Sequence, residues 1–166
     1  MANSFAPFGL RLVQSEGKEH RGRRYVKKTG SAIYPGDVVK QAATGDVEVA
    51  AAGDTPIGVS LEYKAAASVD PILICDDPEA VFEIQADNLV AAADVFQNAD
   101  ITATAGDSSL LRSKQDLDVA TFGTGSTKVL KILGLSSIGE NAYGSYARML
   151  VKFNVHTLKA SGMSGI

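Results

Sequence analysis

The residue types that most often carry out acid–base, nucleophilic or metal chemistry are few in this chain and lie far apart. Only two histidines are present, His20 and His156, and the single cysteine is Cys75. A zinc site needs histidines and cysteines at short spacings, and no such cluster occurs in the sequence. Cys75 lies in the apolar run PILICDD, which predicts a buried strand thiol. These residues therefore indicate neither a zinc centre nor cysteine-based catalysis.

Two further segments share only part of a functional loop signature. The segment GTGSTK at 123–128 contains glycines and a lysine, but a phosphate-binding loop requires GxxxxGK[ST] between a strand and a helix. Asp76, Asp77 and Glu79 lack the spaced oxygens and central glycine of a calcium-binding loop. No GxSxG elbow occurs, and no two carboxylates are set up as acid and base. We therefore expect a protein that is not an enzyme and needs no cofactor.

Short β-rich runs separated by Gly, Asp, Asn and Pro dominate the chain, and no stretch of a dozen residues has helical periodicity. This pattern predicts a mainly β fold, a small barrel or sandwich with at most one or two short helices and an extended N-terminal arm. One short helix is expected within 88–100, capped by Asp87 or Asn88, and 104–127 is expected to be an exposed polar loop. The predicted strands lie in RRYVKK, YPGDVVKQA, VEVAAA, IGVSLEY, PILICDD, AVFEIQA, KVLKILGLSS and ARMLVKFNVHTL.

Charge divides the chain unevenly. Residues 1–29 hold seven Lys or Arg against two acids, whereas 30–100 hold two against thirteen. We interpret 1–29 as a basic arm, 30–158 as a β-rich binding domain and 159–166 as a flexible Gly/Ser-rich tail. An arm of opposite charge to the body can lie on another copy or on a partner, which predicts a dimer or trimer. Nucleic acid is not an expected partner, because the basic stretch is short and adjoins an acidic body.

The composition, with 45% hydrophobic and 21% charged residues, is that of a globular protein. No apolar run approaches the roughly 18 residues that span a bilayer, so no membrane partner is expected. The N-terminus lacks the charged start and apolar core of a secretory signal.

The segment SSIGENAYGSYARMLVKFNVHTL at 136–158 offers a surface for assembly. Strand alternation places Met149, Val151, Phe153 and Val155 on an apolar face that closes a core. The opposite face, which also holds Leu150, is available to solvent or a neighbour, and the turn GENAYGSY exposes two tyrosines suited to an interface. The residues predicted to contact a capsid or another subunit are Arg21, Arg23, Arg24, Tyr143, Tyr146, Arg148, Lys152, Asn154 and His156.

Several motifs, taken in their order along the chain, resemble those of the capsid decoration (head cement) proteins of tailed bacteriophages. IYPGDVV followed by GDTPIGVS is similar to the entry into their small β-barrel, and DPEAVFEIQAD to the strand after it. NADITATAGDSSLLRSKQDLD is similar to their central polar excursion. LKILGL and NAYGSYARMLVKFNVH resemble the closing strand pair, with matching positions at Asn141, Gly144, Tyr146, Ala147, Asn154 and His156. The resemblance covers about residues 30–158.

This resemblance implies a virion structural protein that binds the outer surface of the assembled phage capsid and stabilises it. Its partner would be the major capsid protein, its place the capsid exterior, and its site of synthesis the cytoplasm of the bacterial host. Two alternatives remain open. One is another virion β-module of the tail, baseplate or fibre, which could carry glycan-binding loops. The other is a small hydrolase or isomerase on a β scaffold, for which the sequence shows no acid–base set.

Overall fold

The structure, a computed structural model, describes residues 3–14, 22–137, 139–159, 162 and 164–165. Within these residues the chain forms thirteen strands in three antiparallel sheets and one 3-10 turn at Ala92–Asp94. None of the described sheets closes into a barrel, and the arrangement is a small β sandwich. The prediction of a mainly β fold with at most one or two short helices is therefore confirmed.

Two large sheets and one two-stranded ribbon make up the sandwich. The six-stranded sheet has the order β1-β7-β13-β11-β9-β10. Its strands are β1 Arg11–Gln14, β7 Val81–Gln85, β9 Asn98–Ile101, β10 Leu117–Gly123, β11 Leu130–Leu135 and β13 Arg148–Phe153. The five-stranded sheet, of order β2-β6-β5-β3-β4, consists of β2 Arg23–Val26, β3 Val38–Gln41, β4 Val47–Val49, β5 Pro56–Ser60 and β6 Pro71–Cys75. The ribbon pairs β8 Leu89–Val90 with β12 Gly144–Ser145.

The main core lies between the two large sheets. Met149, Val151 and Phe153 of β13 are fully buried there, as their alternation in the sequence predicts. Val38 and Val59 reach the same core from the five-stranded sheet. Burial of such aliphatic and aromatic side chains is the main force that holds the sheets together.

The five-stranded sheet also buries its other face in a second, smaller apolar cluster. A bulge between the pairs Val39–Gly58 and Lys40–Pro56 adds one residue to β5. The side chain of Ile57 therefore joins the second cluster, although Val59, two residues later, joins the main core. The cluster consists of Ile33, Val39, Val47, Ile57, Ile72 and Ile74.

The predicted N-terminal arm is wrong for the residues that the structure describes. Arg11–Gln14 pairs with β7, and Arg23–Val26 pairs with β6, so both are strands of the body. Lys27 is fully buried, and its Nζ donates hydrogen bonds to the carbonyl oxygens of Lys28, Ala66 and Ser68 at 2.7, 3.2 and 3.3 Å. Burial lowers the pKa of Lys27. The described parts of the basic segment are thus integral to the fold.

The expected helix within 88–100 and the expected loop at 104–127 are also corrected. Only the 3-10 turn is helical within 88–100, because the residues on either side pair as β8 and β9. Within 104–127, β10 forms, and Gln115 is fully buried. The Gln115 side chain accepts a hydrogen bond from the Val38 backbone N–H at 2.7 Å and donates one to the Ala50 carbonyl at 3.1 Å. The sequence alone does not indicate that a polar side chain is buried because it joins separate strands in this way.

Candidate interaction surface

The N-terminal segment 3–10 is hydrogen-bonded at its start to β7 and to the loop before β13, and at its end to the backbone of Gly36 and Gln115. The Gln85 side chain accepts a hydrogen bond from Ala6 N–H at 2.7 Å and donates to the carbonyls of Ser4 and Tyr146 at 2.8 and 3.1 Å. Asn3 Nδ2 donates to the carbonyl of Ala142 at 3.1 Å. These bonds satisfy backbone groups of both segments, so the N-terminal segment is held beside the loop 139–147.

An aromatic patch forms where the N-terminal segment meets this loop. The Phe5 ring stacks on the Tyr146 ring with centroids 5.1 Å apart. Phe5 and Tyr143 remain 51% and 41% exposed, and Leu89 of the adjoining ribbon is also exposed. Large apolar and amphipathic side chains grouped at a surface are typical of protein interfaces. We call Phe5, Leu89, Tyr143 and Tyr146 the aromatic patch.

Backbone strain and a single asparagine shape the loop that carries the tyrosines. Tyr146 has a φ of 60°, a conformation that costs a non-glycine residue energy and often occurs at functional positions. Asn141 Nδ2 donates to the carbonyls of Ser136 and Arg148 at 2.7 and 2.8 Å, and its Oδ1 accepts from Arg148 N–H at 3.0 Å. These hydrogen bonds therefore fix the backbone of the loop that carries Tyr143.

Three cavities are lined in part by the N-terminal segment, and two of them also contain Arg11. The polar cavity, of about 420 Å³, is lined by Asn3, Ser4, Ala6, Phe8, Arg11, Gln85, Glu140 and Arg148. The second, which we call the arginine groove, has a volume of about 300 Å³. The arginine groove is lined mainly by Phe8, Leu10, Arg11, Leu12, Pro35, Leu61 and Arg112.

A buried carboxylate fixes Arg11 between the two cavities. Glu83 is fully buried, forms an ion pair with the Arg11 guanidinium and accepts a hydrogen bond from Ser136 Oγ at 2.6 Å. The Arg11 guanidinium also lies 5.2 Å from the centroid of the Phe8 ring. A buried carboxylate needs such partners, so Arg11 stays in place while half of its side chain remains exposed.

The structure brings three of the predicted contact residues to this surface. Tyr143 and Tyr146 belong to the aromatic patch, and Arg148 lines the polar cavity. Arg21 lies outside the described residues. Arg23 pairs with Asp76 at 3.3 Å, and Arg24 pairs with Glu62 at 2.9 Å.

The charge division that motivated the dimer or trimer is partly neutralised inside the chain. Besides the two arginine pairs, Lys28 pairs with Glu48 at 2.6 Å. The pairs of Arg24 and Lys28 lie at the surface and contribute little to stability, whereas Arg23 reaches the buried carboxylate of Asp76. They do show that basic residues of 1–29 meet the acidic body of their own chain. The charge division therefore no longer supports self-association, which remains a prediction.

The predicted outward face of the last strand is partly wrong. Lys152 forms an ion pair with Glu79 at 2.9 Å. Asn154 and His156 are each only 3% exposed, so neither is available to a partner. The alternation fails because β13 ends at Phe153 and the chain turns. Beyond this end, Val155, which was predicted to be in the core, is only half-buried. Its neighbours Asn154 and His156, which were predicted to face outward, are buried instead.

His156 is instead held in the interior beside Phe153, with ring centroids 5.1 Å apart. Its Nδ1 accepts a hydrogen bond from Leu158 N–H at 3.1 Å, and its buried Nε2 has no hydrogen-bond partner of regular geometry. Burial lowers the pKa of His156, whereas the Ile57 carbonyl, Asp76 and Asp77 oppose this shift and Lys159 adds to it. The ring is therefore kept neutral at physiological pH.

This environment predicts an acid sensitivity that His156→Asn should remove. Below about pH 6.5, the unfolded chain takes up a proton at this position before the native protein does, so stability falls as the pH drops. One such proton contributes at most about 1.4 kcal/mol per pH unit. Asparagine keeps an acceptor for Leu158 N–H and does not titrate. Urea unfolding of both proteins at pH 7, 6 and 5 measures the difference, in which shared carboxylate effects cancel. Parallel pH profiles would contradict this assignment.

The sequence did not single out four residues that define the surface, Phe5, Leu89, Arg11 and Arg112. Phe5, Leu89 and Arg11 lie outside the quoted motifs and are placed by contacts with distant segments, whereas Arg112 lies in a segment that was predicted to be an exposed polar loop. The single available signal was the pair of phenylalanines in the segment SFAPFG, where apolar side chains lie next to a proline and a glycine. Apolar residues in such a segment need a packing partner or an interface.

The described residues give little support for a metal site or for a nucleophilic cysteine. No three His, Cys, Asp or Glu side chains there are grouped so that they could hold a metal ion. Burial raises the pKa of the Cys75 thiol to about 12, which leaves it protonated and a poor nucleophile. In the part of the chain that is described, no helix has the length and apolar character needed to cross a membrane.

No protein-family model, curated protein or solved structure matches this chain.

Proposed function

We propose that this protein is a non-enzymatic structural module that binds the outside of an assembled phage capsid and stabilises it. The observation that carries the proposal is the aromatic patch, which lies beside two cavities lined by arginines. Such a surface suits a protein partner. The resemblance of the sequence motifs to capsid decoration proteins supplies the kind of partner, the major capsid protein on the virion exterior.

The physical basis of stabilisation is mass action. A protein that binds the assembled, expanded shell and not its dissociated subunits lowers the free energy of the shell. Many copies on one shell add their contributions, and weak individual contacts then suffice. This role needs no cofactor, nucleic acid or membrane. The chain would be made in the cytoplasm of the bacterial host.

The test compares bare phage heads with heads to which the protein has been added. We expect decorated heads to retain their DNA to higher temperature, and through harsher osmotic shock and chelation, than bare heads. The double variant Phe5→Ala/Tyr143→Ala should bind about 30-fold more weakly or worse, because central aromatic side chains dominate interface energies. Cosedimentation with heads measures the affinity.

Val69→Ala is the matched control, because Val69 is 58% exposed and lies outside the aromatic patch. It should bind like the wild type. If bare and decorated heads lose their DNA under the same conditions, the capsid role is wrong. A role in the tail or at the host surface then becomes the better hypothesis. If the double variant binds normally, the aromatic patch is not the contact.

A further inference from the structure

We propose that the arginine groove binds an acidic, aliphatic segment of the partner protein, with a carboxylate on Arg112 and an aliphatic side chain on the groove walls. The proposal rests on the proposed function for the identity of the partner as a protein. Its chemistry rests on the lining of the groove, which combines apolar walls with two guanidinium groups.

The walls are suited to an aliphatic side chain. Phe8, Leu10, Leu12, Pro35 and Leu61 provide apolar surface, and Leu61 is partly open to solvent. Among the described residues, no carboxylate lines the groove. A volume of about 300 Å³ is at the small end of ligand sites, which fits one or two side chains of a docked segment.

Arg112 supplies the charge that the groove does not neutralise. Its side chain is half-buried and lines the groove, and its shielded Nε has no hydrogen-bond partner among the described residues. No ion pair joins Arg112 to any acid of the described chain. A guanidinium is always charged and presents its donors in a rigid fork, so a groove-lining guanidinium without an acidic partner favours a carboxylate ligand.

The two acids nearest in sequence are already engaged. Asp107, whose backbone is bridged to that of Arg112, accepts hydrogen bonds from the N–H groups of Ser109 and Leu110 and pairs with Lys114 at 3.3 Å. Asp116 lines a neighbouring cavity together with Arg112 and Lys114, and its carboxylate accepts a hydrogen bond from Thr102. Burial also raises the pKa of Asp116, which weakens it as a counter-ion.

Arg11 adds a second guanidinium at the rim, and its charge is balanced by the buried Glu83. The ion pair leaves about half of the Arg11 side chain exposed. Carboxylates on arginine form stronger hydrogen bonds than neutral acceptors do. A partner segment with an acid flanked by leucine-like side chains would therefore match both the walls and the charges of the groove.

The experiment titrates the 15N-labelled protein with the capped tripeptide acetyl-Leu-Asp-Leu-amide and follows the amide signals and the Arg112 Nε–H signal by NMR. We expect a saturable shift of the Arg112 signal together with the backbone amides of Leu12 and Leu61. The acetyl-Leu-Asn-Leu-amide peptide should bind about tenfold more weakly or worse, because a hydrogen bond to a charged acceptor is lost.

The variant Arg112→Gln should show the same loss, whereas Arg23→Gln, at an exposed arginine outside the groove, should bind the peptide normally. Equal binding of the Asp and Asn peptides would overturn the proposal. So would equal binding by wild type and Arg112→Gln, or the absence of a saturable shift up to about 10 mM peptide. A shift of Arg112 by inorganic phosphate at the same concentration would show a general anion site and would also overturn it.

Binding to phage heads distinguishes this proposal from the proposed function. If wild type binds heads and Arg112→Gln binds them equally well, the groove proposal fails and the capsid proposal stands. If wild type ignores heads but binds the Asp peptide through Arg112, the groove proposal stands and the capsid proposal fails.

Discussion

Replacing Phe153 by alanine is expected to lower the free energy of unfolding by about 3–5 kcal/mol, the range for removing a buried aromatic side chain. Phe153 is fully buried at the end of β13, in the core between the two large sheets. Its ring meets the Phe82 ring edge-on with centroids 5.6 Å apart and also contacts His156. Alanine would leave a cavity that strands fixed by hydrogen bonds on both sides cannot close.

Urea unfolding followed by circular dichroism measures this loss. Leu158→Ala is a suitable control, since Leu158 is 51% exposed just beyond the same strand, and it should change stability by no more than about 0.5 kcal/mol. A loss below about 1 kcal/mol for Phe153→Ala would mean that the core readily collapses around this position.

Replacing Gly58 by alanine should also be strongly destabilising, by about 3 kcal/mol or more, because the new methyl group would overpack the sheet. A Cβ at Gly58 would lie 2.1 Å from the Cys75 carbonyl oxygen and 2.7 Å from Cγ2 of Ile74. Both neighbours belong to β6, which pairs with β5, so the added methyl group would force two central strands apart.

Gly134→Ala separates this clash from backbone strain. Gly134 has a φ of 159°, close to the 156° of Gly58, but a Cβ there would meet no atom within 4 Å. We expect Gly134→Ala to lose about 1–2 kcal/mol to backbone strain alone, which is less than the loss for Gly58→Ala. Thermal unfolding of both variants gives the comparison, and equal losses would assign the cost to backbone conformation.

Local features of the fold could be predicted from the sequence. The hairpin of β3 and β4 follows from the turn ATGD between two β-rich runs, and Gly45 adopts the positive φ of 92° that such a turn requires. The buried face of β13 follows from alternation. In both places the signal and the structure lie within a few residues of each other, so the sequence pattern is sufficient.

Features that depend on distant pairing could not be predicted. The basic segment looked like a free arm because its partners, β6 and β7, lie 45 to 72 positions further along. Tyr143 was found because it lies in a turn, whereas Phe5 reaches the same patch only by stacking on Tyr146. Arg112 lay in a segment that read as a polar loop, and its burial depends on strands from the rest of the chain.

The tie between the N-terminal segment and the loop 139–147 has a consequence for the time course of folding. Asn3 is hydrogen-bonded to Ala142 and Arg11 is paired with Glu83, so these contacts join residues that are 139 and 72 positions apart in the chain. Chains dominated by such non-local pairings fold in about milliseconds to seconds, much more slowly than helical bundles of similar size. The aromatic patch and the arginine groove are both lined by this segment. A chain without residues 3–10 would therefore form neither the aromatic patch nor the arginine groove, and it could not bind through them as proposed.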